Sequence, residues 1–395
     1  MENSVHTKEK LQSAIMLGSF SFTMIAFMLP IYTKMLGGNA VSIGGLFSIF
    51  SIVTLLLRPF IGKGIDSYGR KKFLIAAFLI NGLAMLLFSF SSSITHLYIS
   101  RLIQALASSI LWIAAYSVAM DLADGKNRGS EIGYVDGASS RGQLIGTFLG
   151  FIILAEFSSL MTGLSVLFIV YALLSFYAAY IVYKNIPETK VSIKKQAIKT
   201  KSKLSKGYKK LLIIVFISSF SSSMLSPIYM AFLMDRFTTN YVILSWCFVP
   251  AAIVYAFFQQ KLGGISDKIG RTKPLAIGLI VSGIVSISLT QVYNLFIMVI
   301  LWTILAVGMA MASPAETAFV ADLTGDDIRG SSYGIYTLIE SLGASIGPIV
   351  GGLLYESFGQ TIPFYVNGVI LLVSAILVFV LLENYKNKQK TELLG

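Results

Sequence analysis

Twelve long apolar runs divide the 395-residue chain and constrain its fold more than any other feature. A helix needs about 20 residues to cross a hydrocarbon core about 30 Å thick. Each run is near that length, and each is predicted to be helical because lipid offers no water to open backbone groups. The predicted spans, numbered 1 to 12, cover residues 12–34, 42–61, 73–92, 97–120, 131–155, 162–183, 211–234, 241–260, 274–291, 295–321, 332–355 and 362–382.

The composition agrees with a membrane protein and argues against an enzyme. Charged residues make up 13% of the chain, whereas soluble domains carry about 25%. Two histidines and one cysteine, Cys247, allow no intrachain disulfide and no thiolate metal cluster, and no phosphate-binding GxxxxGK(S/T) sequence occurs. The first run is too long for a secretory signal peptide, so we expect it to be retained. We therefore predict an all-α integral membrane protein without enzymatic activity, metal or cofactor.

The distribution of basic residues predicts the orientation in the membrane. With twelve spans, both termini lie on the same side as the loops that follow the even-numbered spans. Of the 31 lysines and arginines, all but Lys34, Arg101, Arg141 and Arg236 fall on that side. The positive-inside rule then predicts that both termini are cytoplasmic, in a cell membrane such as a bacterial inner membrane. The net charge of +12 is thus explained by topology, and we expect no nucleic-acid partner.

A basic segment at the middle of the chain predicts the domain boundaries. Residues 185–210 hold nine lysines and a single acid, Glu188. This segment is either a solvated tether or a short amphipathic helix on anionic lipid. We predict an N-terminal six-helix bundle over 1–184, a cytoplasmic linker over 185–210 and a C-terminal six-helix bundle over 211–395.

The two predicted bundles are related by an internal repeat. GKGIDSYGRKK at 62–72 is answered 201 positions later by GGISDKIGRTK at 263–273, and NRGSEIGY at 127–134 by IRGSSYGI at 328–335. Because an even number of spans separates equivalent points, the halves are parallel repeats. A substrate site at their interface near the bilayer midplane is the usual consequence. The same offset relates Gly142, Gly146 and Gly150 to Gly343, Gly347 and Gly351.

The repeated loop resembles the signature of the major facilitator superfamily, G-x-x-x-D-(K/R)-x-G-(R/K)-(R/K). Both copies fit it apart from Ser67 in the first and Thr272 in the second. The resemblance covers essentially the whole chain and implies a twelve-helix secondary transporter that works by alternating access. The matching positions are Gly62, Asp66, Gly69, Arg70, Lys71, Gly263, Asp267, Lys268, Gly270 and Arg271.

The repeated loop also predicts a cytoplasmic gate. Gly69 and Gly270 allow a short loop to reverse direction, and Gly62 and Gly263 allow a neighbouring helix to approach closely. The resemblance implies that the two aspartates of the motif help to latch the halves closed. Exposed charge pairs suit such a gate, since each contributes only about 0–1 kcal/mol. The predicted gate comprises Gly62, Asp66, Gly69, Arg70, Asp121, Arg128, Gly263, Asp267, Gly270, Arg271, Asp322 and Arg329.

Ionisable residues inside the spans are the candidates for proton coupling. Such residues are expensive in lipid and mark functional sites. Glu316 is the first candidate, because it follows Pro314 in span 10 with no basic residue within a turn, and Glu340 in span 11 is the second. Asp136 in span 5 and Arg101 in span 4 complete the set. Arg101 begins RLIQA, which resembles a family signature R-x-x-Q-G associated with proton transfer; alternatively, Arg101 lies near the outer end and snorkels to water.

The predicted substrate site rests on the resemblance, which implies that the first and fourth spans of each half line the cavity. Tyr32 and Tyr229 stand in matching PIY triplets of spans 1 and 7. Arg141 of span 5 either binds an anionic substrate group or forms a structural pair, and we expect Asp136 and Arg141 to bond to spans 1, 8 or 10. The candidate substrate residues are Tyr32, Trp112, Arg141, Tyr229, Ser313 and Glu316.

A glycine motif in span 11 bears on the direction of transport. GASIGPIVGG at 343–352 looks like an exporter signature that normally lies in the fifth helix, where this chain has Thr147 in place of the proline. We expect a monomeric, proton-coupled exporter of small lipophilic or amphipathic organic compounds. The alternatives are a proton-linked transporter of one metabolite and a transporter-like sensor or lipid-handling protein without solute flux.

Overall fold

The computed structural model describes residues 2–122, 128–189, 205–258, 261–262, 264–324 and 329–383. Every regular element in these ranges is a helix, so the all-α prediction is confirmed. Short π-helical segments extend two of the helices, at Val254–Phe258 and Phe379–Glu383. The α-helices are Glu2–Gly18, Phe20–Met35, Ala40–Tyr68, Arg70–Ser89, Ile94–Asp121, Arg128–Ala155, Leu160–Asn185, Lys206–Leu225, Ile228–Arg236, Tyr241–Ile253, Ile265–Ile269, Thr272–Leu289, Leu295–Asp322, Arg329–Phe358 and Ile362–Val378.

The helices correspond to the twelve predicted spans. Within the described residues, eleven helical stretches are long and apolar enough to cross a membrane. Span 8 is the exception, with a shorter apolar α-helix at Val242–Ile253. Pro250 lies inside that helix, which passes into the π-helical segment four residues later. Proline has no N–H to donate, so a change of hydrogen-bond register near it is expected. The cytoplasmic position of both termini stays a prediction.

Spans 1 and 7, equivalent in the repeat, are each built from two helices. Span 1 breaks at Ser19, whose N–H is shared between the carbonyls of Ile15 (3.0 Å) and Met16 (3.3 Å). Span 7 breaks at Ser226 and Pro227. Helices commonly break at Gly/Ser pairs and at prolines. Gly18 and Ser19 form such a pair in span 1, and Pro227 lies at the break in span 7. The sequence analysis treated both spans as continuous, which was wrong in this respect.

The chain forms two compact units. The first comprises Met1–Ser42 and Ile49–Gln196, and the second comprises Ile43–Ser48 and Ala197–Gly395. The domain boundaries predicted at 184 and 211 stay a prediction, since most of the linker, residues 190–204, lies outside the described residues.

Glycines let two helices in each unit touch at the backbone. In the first unit, a Cβ at Gly142 would lie 2.0 Å from the carbonyl oxygen of Met16, so span 5 contacts span 1 directly. In the second unit, a Cβ at Gly351 would lie 2.1 Å from the carbonyl oxygen of Met224, so span 11 contacts span 7. These helix pairs are equivalent in the repeat, and small residues permit such approach. Close packing therefore accounts for the glycine motif of span 11.

The short loops of the repeated motif are built on glycine, with one residue in the first copy and two in the second. One helix ends at Tyr68 and the next begins at Arg70, and the intervening Gly69 has φ +102°. Gly270 has φ +87° at the equivalent place. This region favours glycine, so the predicted reversals are confirmed. The close approach predicted at Gly62 is wrong, because a Cβ there would meet nothing within 4 Å among the described atoms.

Candidate functional site

The first unit carries an ion pair at the predicted gate. Arg70 Nε lies 2.7 Å from Asp121 Oδ2, and the two side chains are only 8% and 10% exposed. The backbone N–H of Arg70 also donates to Glu188 Oε1 at 2.7 Å. This carboxylate faces the N-terminus of the span 3 helix, where the helix dipole favours negative charge. The ion pair therefore connects the beginning of span 3 to the end of span 4. The hydrogen bond to Glu188 connects the same point of span 3 to the residues just after span 6.

The second unit repeats the ion pair at the equivalent positions. Arg271 Nε lies 3.1 Å from Asp322 Oδ2, and Arg271 Nη1 donates to Ser266 Oγ at 2.8 Å. These side chains are 23% and 53% exposed. Four of the predicted gate residues thus form one ion pair in each unit. The second pair is more hydrated and should be weaker.

Other predicted gate residues lie outside the described part of the chain. This applies to the whole of Gly263 and to the side chains of Asp66, Arg128, Asp267 and Arg329. The gating role of all twelve residues stays a prediction.

The main proton-coupling candidate has a hydroxyl partner. Tyr336 Oη donates to Glu316 Oε1 at 2.8 Å, joining span 11 to span 10. Tyr336 is buried, and Glu340 follows it by four residues, which places the two side chains on one face of the helix. The backbone carbonyl of Glu340 accepts from Ser219 Oγ at 2.7 Å, so span 7 also meets span 11 here. Both predicted glutamates therefore belong to one region of the second unit.

A similar bond joins spans 4 and 5 in the first unit. Tyr116 Oη donates to Asp136 Oδ1 at 2.6 Å. The prediction that Asp136 bonds to span 1, 8 or 10 is wrong, because this partner lies on span 4. The 201-residue offset maps Tyr116 beside Glu316 and Asp136 beside Tyr336. Each unit therefore joins its fourth and fifth spans by a tyrosine–carboxylate bond, with donor and acceptor exchanged between the helices.

Neither tyrosine was a sequence-based candidate, although each carried a usable signal. Tyr116 follows Trp112 by four residues, and Tyr336 precedes Glu340 by four. Both therefore share a helix face with a residue that was chosen. In the structure the rings of Trp112 and Tyr116 lie 5.8 Å apart between centroids, and Phe22 lies 6.0 Å from Trp112 on the other side.

The two arginines of the candidate site are in different environments. Arg101 is 6% exposed, donates to Gln104 Oε1, and places its guanidinium carbon 4.2 Å from the centroid of Phe50. The snorkelling alternative for Arg101 is therefore wrong. Arg141 is exposed, and no ion pair joins it to a carboxylate in the part of the chain that the structure describes. That arrangement disfavours a buried structural pair at Arg141.

The predicted substrate tyrosines are both buried. Tyr32 Oη donates to the carbonyls of Ser91 (2.7 Å) and Phe88 (3.2 Å), so a substrate could accept a hydrogen bond from it only by displacing them. Tyr229 packs edge-on against Trp302, with ring centroids 3.9 Å apart. Its hydroxyl is buried without a hydrogen-bond partner among the described atoms. Ser313, in span 10, is exposed.

The chemistry of this set is hydrogen bonding and charge pairing. In the described residues, no group of three or more histidine, cysteine, aspartate or glutamate side chains is placed to hold a metal ion. The carboxylates can exchange protons or pair with cations, and the tyrosines can donate to them.

Comparisons with known proteins identify the family of the chain. The model of the Major Facilitator Superfamily matches residues 13–213 and 211–393. The chain is 24% identical over 375 residues to multidrug resistance protein 2 of Bacillus subtilis, covering 92% of both chains. It is 27% identical over 371 residues to the synaptic vesicular amine transporter of Mus musculus, covering 92% of this chain and 71% of the relative.

Solved structures show the same fold. A bacterial homolog of the human lysosomal transporter Spinster, in an inward-facing and unoccupied conformation, superposes with a TM-score of 0.77 at 15% identity and covers 98% of each chain. The nucleoside transporter NupG gives a TM-score of 0.73 at 16% identity, covering 96% of this chain and 99% of the neighbour. The family model spans both halves of the sequence, and the helices and the repeated loop agree with it. The chain therefore belongs to the major facilitator superfamily of membrane transporters.

Proposed function

We propose that this transporter exports small lipophilic or amphipathic organic compounds, amines among them, in exchange for protons across a plasma membrane. The observation that carries the proposal is Glu316, a carboxylate inside an apolar span that is held by Tyr336 and has Glu340 one turn along the neighbouring helix. The names of two relatives, a multidrug resistance protein and an amine transporter, support the substrate class.

The proposed coupling rests on competition for one carboxylate. A charged residue inside a span is costly, about 2.5–3.5 kcal/mol on insertion scales, and is retained where it performs a function. Ionised Glu316 can pair with a proton or with an organic cation, but not with both together. Binding of one then lowers the affinity for the other by the same factor. Alternating access converts this competition into exchange.

Tyr336 gives Glu316 a hydrogen-bond partner while the carboxylate holds neither a proton nor an organic cation. A hydrogen bond to a charged group contributes about 1.5–3 kcal/mol, which offsets part of the cost of holding the ionised form in an apolar span. An arriving cation can pair with the second carboxylate oxygen without breaking this bond. The Tyr116–Asp136 bond supplies a second carboxylate of the same kind in the first unit. Trp112, packed against Tyr116 with its ring tilted by 30°, adds an aromatic face suited to cations.

One observation favours a second candidate function. Arg141 is exposed in the middle of span 5, and a guanidinium that stays charged there suits an anionic substrate group. The alternative is therefore a proton-linked transporter of one anionic metabolite.

Flux in proteoliposomes with an imposed pH gradient tests both candidates. Ethidium serves as the cationic probe and carboxyfluorescein as the anionic one. We expect gradient-driven ethidium transport that Glu316→Gln abolishes, while Glu156→Gln, a matched change at an exposed glutamate near the end of span 5, leaves it intact. Carboxyfluorescein transport that depends on Arg141 would favour the alternative. Normal gradient-driven accumulation by Glu316→Gln would remove Glu316 from the mechanism, and absence of flux for both probes would favour a sensor.

A further inference from the structure

A stripe of exposed tyrosines runs along the end of span 6 that is predicted to be cytoplasmic. Tyr177, Tyr180 and Tyr183 are 55%, 52% and 68% exposed. The rings of Tyr177 and Tyr180 stack, with centroids 6.2 Å apart and an angle of 21° between their planes. Tyrosines with one apolar and one polar end are typical of the boundary between hydrocarbon and headgroups.

Lysines from two helices lie against these rings. Lys71, at the beginning of span 3, has its Nζ 5.6 Å from the centroid of Tyr183. Lys184, in the last turn of span 6, has its Nζ 6.0 Å from the centroid of Tyr180. The cation–π contacts draw the two ammonium groups to one surface. The nearby acid is Glu188, whose carboxylate is engaged by the backbone N–H of Arg70.

The second half of the repeat does not reproduce this surface. The 201-residue offset maps Tyr177 to Val378 and Tyr180 to Leu381, and it maps Lys71 to Thr272. The same helices therefore form in the second unit without tyrosines or a lysine at these positions. The repeat fold does not require the surface.

We propose that Lys71, Lys184 and the three tyrosines form a docking site for the headgroup of an anionic phospholipid. The two ammonium groups supply charge complementary to a phosphate, and the tyrosine hydroxyls supply hydrogen-bond donors at the same depth. A zwitterionic headgroup fits less well, because the faces of Tyr180 and Tyr183 already hold ammonium groups that repel a choline cation.

Native mass spectrometry of the purified full-length protein, incubated with equal amounts of dioleoyl phosphatidylglycerol and dioleoyl phosphatidylcholine, tests the proposal. We expect preferential retention of phosphatidylglycerol. Each lysine near an anionic headgroup raises the affinity for that lipid about fivefold. Lys71→Gln with Lys184→Gln should therefore lower the preference for phosphatidylglycerol about 25-fold. The matched control is Lys209→Gln with Lys273→Gln, which removes two exposed lysines from the second unit. A further variant, Tyr180→Leu with Tyr183→Leu, removes rings and hydroxyls without changing charge.

The outcomes separate a site from bulk electrostatics. Loss of the preference in both the lysine and tyrosine variants, with the control unchanged, supports the site. The proposal is overturned by equal retention of the two lipids in the unmodified protein, by an equal loss in the control, or by an unchanged preference in the tyrosine variant. Five of the six substituted side chains of the first-unit and control variants are exposed and Lys71 is half-buried, so we expect each protein to fold.

Discussion

The two equivalent ion pairs allow a matched test of how burial determines the strength of a gate contact. Arg70–Asp121 is 8% and 10% exposed, whereas Arg271–Asp322 is 23% and 53% exposed. Removing one member of a buried pair costs about 3–5 kcal/mol, because the remaining charge is left without a partner. An exposed pair contributes about 0–1 kcal/mol. We therefore expect Asp121→Ala to destabilise the protein by about 3 kcal/mol and Asp322→Ala by less than about 1 kcal/mol.

The assay is thermal and denaturant unfolding of the purified variants in one detergent, together with the double change Arg70→Met with Asp121→Ala. Replacing both members removes the uncompensated charge, so the double variant should recover most of the stability lost in Asp121→Ala. Equal destabilisation by Asp121→Ala and Asp322→Ala would refute the assignment of strength to burial. A double variant no more stable than Asp121→Ala would show that the charge left on Arg70 is not the cause.

Further predictions concern packing, coupling, substrate charge and gating. Gly146→Ala should destabilise the first unit by about 1–3 kcal/mol in a thermal unfolding assay, because its Cβ would lie 2.3 Å from a span 1 carbonyl oxygen. Gly133→Ala is the control, since there is open space around Gly133. Equal losses of stability in the two variants would contradict the packing argument. Tyr336→Phe should slow proton-driven ethidium transport and lower the stability by about 1.5–3 kcal/mol, because ionised Glu316 loses its hydrogen bond. A transport rate equal to that of the unmodified protein would show that the hydroxyl is dispensable for transport. Arg141→Ala should leave the melting temperature unchanged because the side chain is exposed; a large fall would mean that it holds the helix. Asp66→Asn should increase labelling of engineered cytoplasmic cysteines and reduce turnover without unfolding, and unchanged labelling with full transport would remove Asp66 from the gate.

Hydropathy and the repeat predicted most of the architecture. A span must be long and apolar enough to cross the hydrocarbon core, and apolar runs of that length can be read directly from a single sequence. The short loops at Gly69 and Gly270 followed from the glycines of the repeated motif, since so tight a reversal favours positive φ. The breaks at Ser19 and Pro227 were missed because hydropathy is continuous across them. A proline in a span signals a break only once the neighbouring backbone bonds are known.

The sequence predicted the candidate residues within each helix, but not the contacts between helices. Hydropathy placed Glu316 and Glu340 inside their spans, but it does not say which neighbouring helix each side chain meets. The partner of Asp136 on span 4 and the burial of Arg101 against Phe50 therefore needed the fold. Tyr336 was missed for the same reason, since its bond to Glu316 crosses between two helices.

The bond from the N–H of Arg70 to Glu188 has a mechanical consequence. The chain that follows Glu188 departs from beside the one-residue loop at Gly69, rather than from the free end of span 6. Tension along that connection would be shared between the backbone that leads back to span 6 and this hydrogen bond, so part of it would reach the residue that pairs with Asp121. The Glu188 carboxylate is thus the contact through which a force transmitted along the connection would reach the Arg70–Asp121 ion pair.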